Sequence, residues 1–427
     1  MIRQKPIQVK FKESDAAVTG FAGAAALVQV AHQTGLLAEL DRRLPLKQRR
    51  RGLSPGTSVL DLMLLSCAGG ECIDDLEVLR SDRGVRRLLD RPVMAPSTAH
   101  DFLRRFDAAG REGLAGGRRQ LLRQVTQATK QRRATLDCDA SFFASGVRSA
   151  PMSYLGERGW MPMMAFWAEL DLIVHEEFRP GNAAPQGDAV RFLKETVAQL
   201  PEAVKEIRVR SDSAWYQAEV LDHCQKEGYG FSITADKDHA VQTLLAGVSE
   251  PDWRQVHLPP EPSEAEECLR EWAFETVHTL ERSEFSYRMI LLRKERRQPD
   301  LFDGEYVYGA IITNLDLPLE SQLRWHRQRC NCENHIKELK HGFSMRGLPS
   351  GDFEVNAAYF RMGTLAYNLI SAFKWLKLDA SWRPLTMKTL RFRLLALPAL
   401  VVRHARRLWL HLPRGHPHLA AFRAALI

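Results

Sequence analysis

The strongest constraint on the fold is the order of strand-like and helix-like segments between residues 131 and 239. Three strand candidates come first, RATLDCDASFF, MPMMAFWAEL and LIVHEEF, and Asp171 separates the last two as a hairpin turn would. An amphipathic segment, DAVRFLKETVAQL, follows, and then EIRVRSDSAW, AEVLDHCQKEG and YGFSITAD alternate as strand, helix and strand. The order β-β-β-α-β-α-β predicts an α/β fold in which helices cover a mixed sheet.

The flanking segments read differently, so we predict several regions in this chain of 427 residues. Residues 15–130 are mainly helical in pattern, whereas residues 240–305 break the α/β alternation with strand-like pieces such as WAFETVHTL. A long helix is expected over Leu319–His341, and a second one follows. The predicted regions are a helical N-terminal region (1–130), the first part of an α/β core (131–239), a β-rich insertion (240–305), the second part of the core (306–345) and a helical basic C-terminal region (346–427).

The positive charge is concentrated at the C-terminal end. The chain has 60 Lys and Arg against 52 Asp and Glu, a net charge of +8, yet no acidic residue follows Asp379. Residues 380–427 carry nine basic side chains, which leaves the first 379 residues with a net charge of −1. An acid-free basic segment of this length favours contact with nucleic-acid phosphates.

Several function classes are excluded by what the sequence lacks. No apolar run is long enough for a membrane span, and the N-terminus has no apolar core typical of a secretion signal. Seven scattered cysteines indicate a reducing cytoplasm and give no two-pair zinc pattern. Neither a P-loop nor a nucleophile elbow is present, so ATP-driven action and serine hydrolase chemistry are not indicated.

Three acidic residues are candidates for one site. Asp139 interrupts an otherwise apolar strand, Asp212 lies at the end of another strand, and Glu333 lies within a helix. A carboxylate in a core strand is costly unless it is paired or binds a metal, and carboxylate oxygens suit Mg²⁺ or Mn²⁺. Two such ions could serve phosphoryl displacement. Asp137 points to the same face of the strand as Asp139, so either could be the ligand.

The predicted helix around Glu333 carries a stripe of polar residues. His326, Arg329, Glu333, Lys337 and Lys340 are spaced three, four, four and three residues apart, which places them on one helix face. In an arbitrary helix such a mixture most often forms a solvated, salt-bridged surface. The two upstream strand acids favour the alternative, a site for phosphate beside a catalytic carboxylate.

This pattern resembles a family signature. Arg329-x3-Glu333-x6-Lys340, with His326 three residues before Arg329, is similar to the Tyr-x2-Arg-x3-Glu-x6-Lys signature of bacterial insertion-sequence DDE transposases of the IS-four type. The segments LDCDAS, FRPGN, VRSDSAW, RCNCENHIKELKHGF and MGTLAYNLI look most like the IS-thirteen-eighty branch. The resemblance covers roughly residues 130–410.

The resemblance implies a ribonuclease H-like core, interrupted by a β-rich insertion between the second and third acids. Asp139 matches the first acid, Asp212 the second and Glu333 the third, which together would bind two Mg²⁺ or Mn²⁺ ions. Arg329 and Lys340 would contact phosphates of the transposon end. His326 replaces the signature tyrosine and could still hydrogen-bond a phosphate. Trp253 and Trp272 are candidates for holding a flipped base, although no motif chooses between them.

The function expected from the resemblance is cut-and-paste DNA transposition in a bacterial cytoplasm, in association with the nucleoid. The partners would be double-stranded DNA, as terminal inverted repeats and as target, and a second copy of the chain in a synaptic homodimer. Two alternatives stay open, namely a stand-alone metal-dependent nuclease and a catalytically silent, transposase-derived DNA-binding protein.

Overall fold

The computed structural model of the chain describes residues 9–46, 52–154, 156–184, 187–258, 268–300 and 304–426. Residues 259–267 and 301–303 of the predicted β-rich insertion lie outside these ranges.

The N-terminal region is helical, as predicted. A short strand, β1, precedes seven helices, and α3 and α7 are capped by Ser54 and Asp107 through side-chain acceptance of a backbone N–H. The elements are β1 (Val18–Thr19), α1 (Ala24–Gln33), α2 (Leu36–Arg43), α3 (Pro55–Ala68), α4 (Leu76–Ser81), α5 (Arg83–Leu89), α6 (Pro96–Leu103) and α7 (Ala108–Thr129). Their apolar faces belong to the same hydrophobic core as the sheet described next.

The predicted β-β-β-α-β-α-β order is found in the main sheet, and two further short strands lie between its first and second strands. The elements are β2 (Arg133–Ala140), β3 (Phe143–Ala144), β4 (Gly159–Trp160), β5 (Met163–Trp167), β6 (Leu172–Glu177), α8 (Ala189–Gln199), β7 (Glu206–Ser211), α9 (Ala218–Lys226) and β8 (Gly230–Thr234). β3 and β4 form a small separate ladder. Asp171 adopts a positive φ of 54° in the turn of the antiparallel β5–β6 hairpin. β7 then pairs with β2 in parallel, and β8 with β7, which makes the sheet mixed.

The strands within the predicted β-rich insertion belong to the same sheet as the core strands. The elements that follow are α10 (His239–Ala246), β9 (Arg254–Val256), β10 (Cys268–His278), β11 (Tyr287–Asp300) and β12 (Gly304–Thr313). Among the described residues the sheet has nine strands in the order β6-β5-β2-β7-β8-β12-β11-β10-β9. β12, which lies mostly in the predicted second part of the core, pairs antiparallel with the edge of β8, and the strands of the predicted insertion continue outward from β12.

The helix predicted at Leu319–His341 is present with two changes of pitch. α11 (Leu319–Arg327) is followed by a 3₁₀ turn at Gln328–Cys330, then by α12 (Asn331–Lys337) and a π-helical turn at Glu338–Gly342. Such irregular turns rotate the side chains that follow them relative to those before. The five-residue stripe is therefore not one continuous face.

The next helix, α13 (Phe353–Lys377), lies between the N-terminal helices and the sheet. It is buried along most of its length and packs against α3, α7 and β6. The side chain of Asn368 accepts a hydrogen bond from the Ile173 N–H at 2.8 Å and donates one to the Ile173 carbonyl at 2.7 Å. This amide thus pairs with the outer edge of β6, where the sheet has no further strand.

The C-terminal region is only partly helical, which corrects the prediction for residues 346–427. After α14 (Met387–Leu390) and a π-helical turn at Arg391–Leu395, the chain forms the hairpin β13 (Ala399–His404) and β14 (Arg407–His411), and ends in α15 (Leu419–Ala425). β1 pairs with β13 in a three-stranded sheet. The segments ALVVRH and RLWLH fit strands because they are rich in β-branched and aromatic residues.

Among the described residues, no single helix is long and apolar enough to cross a membrane. The bent pair Pro55–Ala68 and Ile73–Ser81 passes that test by length and composition alone.

Candidate active site

Two of the predicted acids lie at the same edge of the sheet. Asp139 is the penultimate residue of β2, and Asp212 directly follows β7. Because β2 and β7 are parallel neighbours, their carboxyl ends meet at one edge. The Asp212 carboxylate also accepts a hydrogen bond from the Ala214 N–H at 3.1 Å, which fixes the turn after β7. Both side chains are partly accessible at this edge.

Glu333 approaches the same edge from α12. The helix packs on β2, where Cys332 is buried and its thiol lies 4.0 Å from the carbonyl oxygen of Asp137. Glu333 itself is exposed. Asp212 and Glu333 both act electrostatically on Asp139, so the structure brings the three predicted acids into one neighbourhood.

The environment of Asp139 opposes its ionisation. Burial raises the pKa of this carboxyl to about 7, the negative charges of Asp212 and Glu333 add to the effect, and Arg329 counteracts it. A carboxylate held this way is a good partner for a cation that enters the site, because the cation would offset both the burial and the repulsion.

No metal site is preformed in the part of the chain that the structure describes. There, no three His, Cys, Asp or Glu side chains are grouped so that they could hold a metal ion as they stand. The donor chemistry nonetheless fits a hard divalent cation, since all three candidate ligands are carboxylates and one has a pKa raised by its acidic neighbours.

Asp137 is engaged in a buried ion pair. Its two oxygens accept hydrogen bonds from Nε and Nη2 of Arg210 at 2.6 and 2.8 Å, and both side chains are almost fully buried. Burial raises the pKa of Asp137 to about 6, against the opposing influence of Arg210. Of the two acids on this strand, Asp139 is therefore the one free to act as a ligand.

Arg210 is a site residue that our sequence analysis missed. It lies on β7, two residues before Asp212, and opposite Asp137 in the parallel register. Its Nη1 donates to the Trp325 carbonyl at the end of α11 at 2.6 Å, and its guanidinium lies 5.0 Å from the centre of the Trp325 ring. One side chain thus contacts β2, β7 and the segment leading to Glu333. The sequence contained one indication of this pair. Asp137 precedes Asp139 by two residues and Arg210 precedes Asp212 by two residues, so the two side chains fall opposite each other when the strands pair in parallel.

His326 does not lie with the rest of the predicted stripe. Its Nδ1 is 2.8 Å from the Ser232 hydroxyl, its Nε2 is 3.2 Å from the Thr234 hydroxyl, and the side chain is buried against β8. Burial, with Arg329 and Arg210 nearby, lowers the pKa of His326 to about 3, so the ring is neutral. Both ring nitrogens of His326 have partners on β8, so the expected contact with a phosphate would have to replace one of these hydrogen bonds.

The three cations of the stripe are placed differently. Lys340 lies close to Asp139, donates to the Ser141 hydroxyl at 2.9 Å, and has its Nζ 4.7 Å from the Phe143 ring centre. Burial lowers the pKa of Lys340, and Asp139 opposes that effect. Arg329 is half-buried beside Asp139, whereas Lys337 is exposed. Arg329 and Lys340 thus flank the acids.

A cavity of about 260 Å³ opens beside Arg329. It lies between β11, β12 and the end of α11, and its lining includes Lys294, Gly309, His326 and Arg329.

Trp253 and Trp272, the candidates for holding a flipped base, do not line this cavity. They pack on Arg293, at 4.8 and 4.9 Å from its guanidinium to their ring centres. By strand alternation, Trp272 points away from the sheet face that carries α11, because its neighbour Ala273 packs with Leu319 and Leu323.

Comparison with known proteins adds a family. The model of the transposase DDE domain group 1 family matches residues 1–427. No curated protein matches the chain. Among solved structures, the chain is similar to one described as a cryo-EM structure of the piggyBac transposase synaptic complex with hairpin DNA, at 11% identity and a TM-score of 0.45, over 86% of this chain and 79% of that one.

Proposed function

Because the chain belongs to the transposase DDE domain group 1 family and is a DNA transposase by that membership, we propose that it performs cut-and-paste transposition from the acidic edge of its sheet. The observation that carries the proposal is that Asp139 and Asp212 lie at the carboxyl ends of the parallel strands β2 and β7, while Glu333 lies on the helix that packs against β2 and adds to the raised pKa of Asp139. The ribonuclease H-like form of the core belongs to the same proposal. It is supported by three consecutive antiparallel strands followed by two parallel ones, in the order β6-β5-β2-β7-β8.

We propose Asp139, Asp212 and Glu333 as catalytic residues that would hold two Mg²⁺ or Mn²⁺ ions. When bound, such ions activate the attacking oxygen and stabilise the leaving oxygen of a phosphodiester. The carboxylates contribute by accepting the cations in their ionised form, and the half-buried edge of the sheet limits competing water. Arg329 and Lys340, which flank the acids, would hold the phosphate to be attacked, and Arg329 can do so with two parallel hydrogen bonds.

The reaction has two steps. In the first, a water oxygen bonds to the phosphorus at the element's end, the bond from phosphorus to the 3′ oxygen breaks, and that oxygen leaves as a 3′-hydroxyl. In the second, the 3′-hydroxyl oxygen bonds to a phosphorus of the target DNA, its proton is released, and a target 3′-hydroxyl leaves. Lys337, which is exposed and lies four residues after Glu333 on α12, would also contact DNA. Pairing of two ends by a homodimer, in a bacterial cytoplasm at the nucleoid, completes the proposal.

The test uses the purified chain, labelled duplexes that carry the element's terminal inverted repeats, a target plasmid and Mg²⁺ or Mn²⁺. Asp139→Asn, Asp212→Asn and Glu333→Gln should each reduce cleavage by at least about 10²-fold, since each removes a charge needed at the reacting phosphate. DNA binding should stay close to wild type. Glu219→Gln, a charge loss on the exposed surface of α9, is the matched control and should cleave normally.

Three outcomes separate this proposal from its alternatives. Cleavage followed by joining of the 3′ end to the plasmid supports transposition. Cleavage without joining would indicate a stand-alone nuclease, and binding without any cleavage would indicate a silent DNA-binding protein. Full activity in any of the three acid variants would remove that residue from the site.

A further inference from the structure

The β13–β14 hairpin projects from the body of the protein. Every residue from Arg403 to Trp409 is exposed, on both faces of the ribbon. The tip residues Ala405 and Arg406 have positive φ angles of 48° and 63°, as in the tight two-residue turn that suits the twist of a hairpin. Nothing in the described chain covers this end of the ribbon, so a partner has access to it.

The projecting end is strongly basic. It carries Arg403, Arg406 and Arg407, and no acidic residue lies anywhere after Asp379. Arg403 pairs with Asp90 at 2.6 Å, while no ion pair of Arg406 or Arg407 is found within the described residues. An indole that is 52% exposed, that of Trp409, lies just behind these arginines on β14.

A neighbouring helix extends this basic surface and holds the hairpin in place. α5 packs against β13, and Arg87 donates to the Val401 carbonyl at 3.1 Å. Arg86 and Arg87 are exposed beside the hairpin. The ribbon is therefore anchored at its base, and its tip is presented in a fixed direction rather than on a free tail.

We propose that the β13–β14 hairpin is a DNA-binding ribbon that enters the major groove of duplex DNA, with Arg406 and Arg407 on the phosphates or base edges at its tip. This inference rests on the proposed function, which makes duplex DNA the substrate. The major groove admits a two-stranded β-ribbon, and arginine is well suited to both kinds of contact. A second copy of the hairpin is disfavoured as the occupant, because it would bring arginines against arginines with no acid between them.

The experiment measures binding of the full-length protein to a terminal-repeat duplex at several salt concentrations. Arg406→Ala/Arg407→Ala should lower the slope of log affinity against log salt by about one for each arginine that contacts a phosphate. Arg254→Ala/Arg282→Ala removes two exposed arginines from the part of the sheet that carries β9, β10 and β11 and should leave the slope unchanged. Both variants should retain the wild-type melting temperature, because the substituted side chains are exposed. Equal slopes in the two variants would overturn the proposal.

The groove is assigned by modifying the DNA. Bulky groups on the major-groove edge of cytosine should weaken binding of the wild type, and weaken the tip variant much less. Competition by a minor-groove ligand, with indifference to the major-groove groups, would overturn the proposed docking. So would a tip variant that binds DNA normally but changes the sedimentation of the free protein, since the hairpin would then serve self-association.

Failure of this inference is distinguishable from failure of the proposed function. The tip variant should still cleave DNA with Mg²⁺ at saturating protein concentration, because its substitutions lie outside the acidic site. Cleavage by the wild type together with normal binding by the tip variant would reject the hairpin and keep the transposase. If the wild type does not cleave DNA but the tip variant binds DNA more weakly, the proposed transposase function is rejected and the DNA-binding role of the hairpin is kept.

Discussion

The two acids at the end of β2, Asp137 and Asp139, have different surroundings. Asp137 and Asp139 share a strand and a face, yet the first is neutralised by Arg210 and the second is not. The difference arises from the partner strand, since the parallel register places Arg210 opposite Asp137. The pKa of Asp139 is raised to about 7 and that of Asp137 to about 6, and the exposure of Asp139 to its acidic neighbours predicts a measurable pH dependence for that residue.

In the metal-free protein, the contribution of Asp139 to stability should fall as pH rises. The pKa of Asp139 in the folded chain, about 7, lies above the ordinary value near 3.9 that the unfolded chain would have. Between these values the folded state binds more protons than the unfolded state, so its free energy of unfolding decreases with pH. The contribution is fully present below about pH 4 and is lost by about pH 7.

Asp139→Asn tests this. The variant should melt at a higher temperature than the wild type near pH 8 in chelator, with little difference near pH 4, as measured by calorimetry. Adding Mn²⁺ at pH 8 should stabilise the wild type more than the variant, because only the wild type has the carboxylate. If the melting temperatures of the two proteins change with pH in the same way, the pKa of Asp139 is not raised in the folded protein.

The Asp137–Arg210 pair should contribute to stability and to the alignment of the site, and should not take part in the reaction. Arg210→Met leaves a buried carboxylate without its partner and should cost about 3–5 kcal/mol in the free energy of unfolding. The double variant Asp137→Leu/Arg210→Met removes both charges and should recover most of that loss. Urea unfolding of both variants gives the comparison.

Activity adds a second readout for this pair. If Arg210 aligns the strands and the Glu333 segment, the refolded double variant should need a higher Mn²⁺ concentration for half-maximal cleavage than the wild type. An unchanged metal requirement would mean that the pair serves stability alone.

At the scale of elements, the β-rich segment is part of the sheet rather than an appendage. β12 pairs with β8, and β11 and β10 continue outward. Ile290, Leu292 and Ile311 on this extension pack against Leu319 and Leu323 of α11, in a second apolar cluster distinct from the main core. The extension thus supports the helix that leads to the third acid.

Deletion should show this dependence. Replacing residues 240–303 with a short Gly-Ser linker removes β11 from beside β12 and uncovers the apolar face of α11. We expect a lower melting temperature and faster proteolysis around residues 319–327, because that helix loses its packing partner. A deletion variant as stable as the wild type would show that this segment is an independent module after all.

At the scale of the whole molecule, the acid-free C-terminal region is structural as well as basic. Trp382, Leu390, Leu394 and Phe422 are buried in the main core. Arg391 donates to the carbonyl groups of Cys67 and Ser66 from α3, at 2.8 and 3.0 Å. The positive charge of this region is therefore carried by a folded part of the protein, and the chain ends are joined through β1 and β13.

Truncation after Asp379 should consequently impair folding before it affects DNA binding. Loss of these apolar side chains uncovers α3 and α13, so we expect low solubility or a melting temperature reduced by many degrees. Circular dichroism of the truncated chain is the measurement. If the truncated chain folds normally and loses only the salt dependence of DNA binding, the region is a detachable basic tail.

The sequence by itself determined the order of elements in the core and the three acidic candidates. Alternation and capping are local properties, so the strands at 133–140, 163–167 and 172–177 and the helices between later strands were readable from neighbouring residues. The three acids could be chosen because a carboxylate in an apolar strand is costly unless it is paired or binds a metal. The resemblance to the transposase signature around Glu333 then supplied the role of metal ligands for all three.

The tertiary structure alone decided which polar residues are already partnered and how far the sheet extends. His326 is buried because Ser232 and Thr234 face it from β8, almost a hundred residues away in sequence. Asp137 is paired with Arg210 through the register of two strands, and the strands of the expected insertion join the sheet through β12, which pairs with the edge of β8. Each of these outcomes depends on contacts between distant segments, which no local pattern encodes.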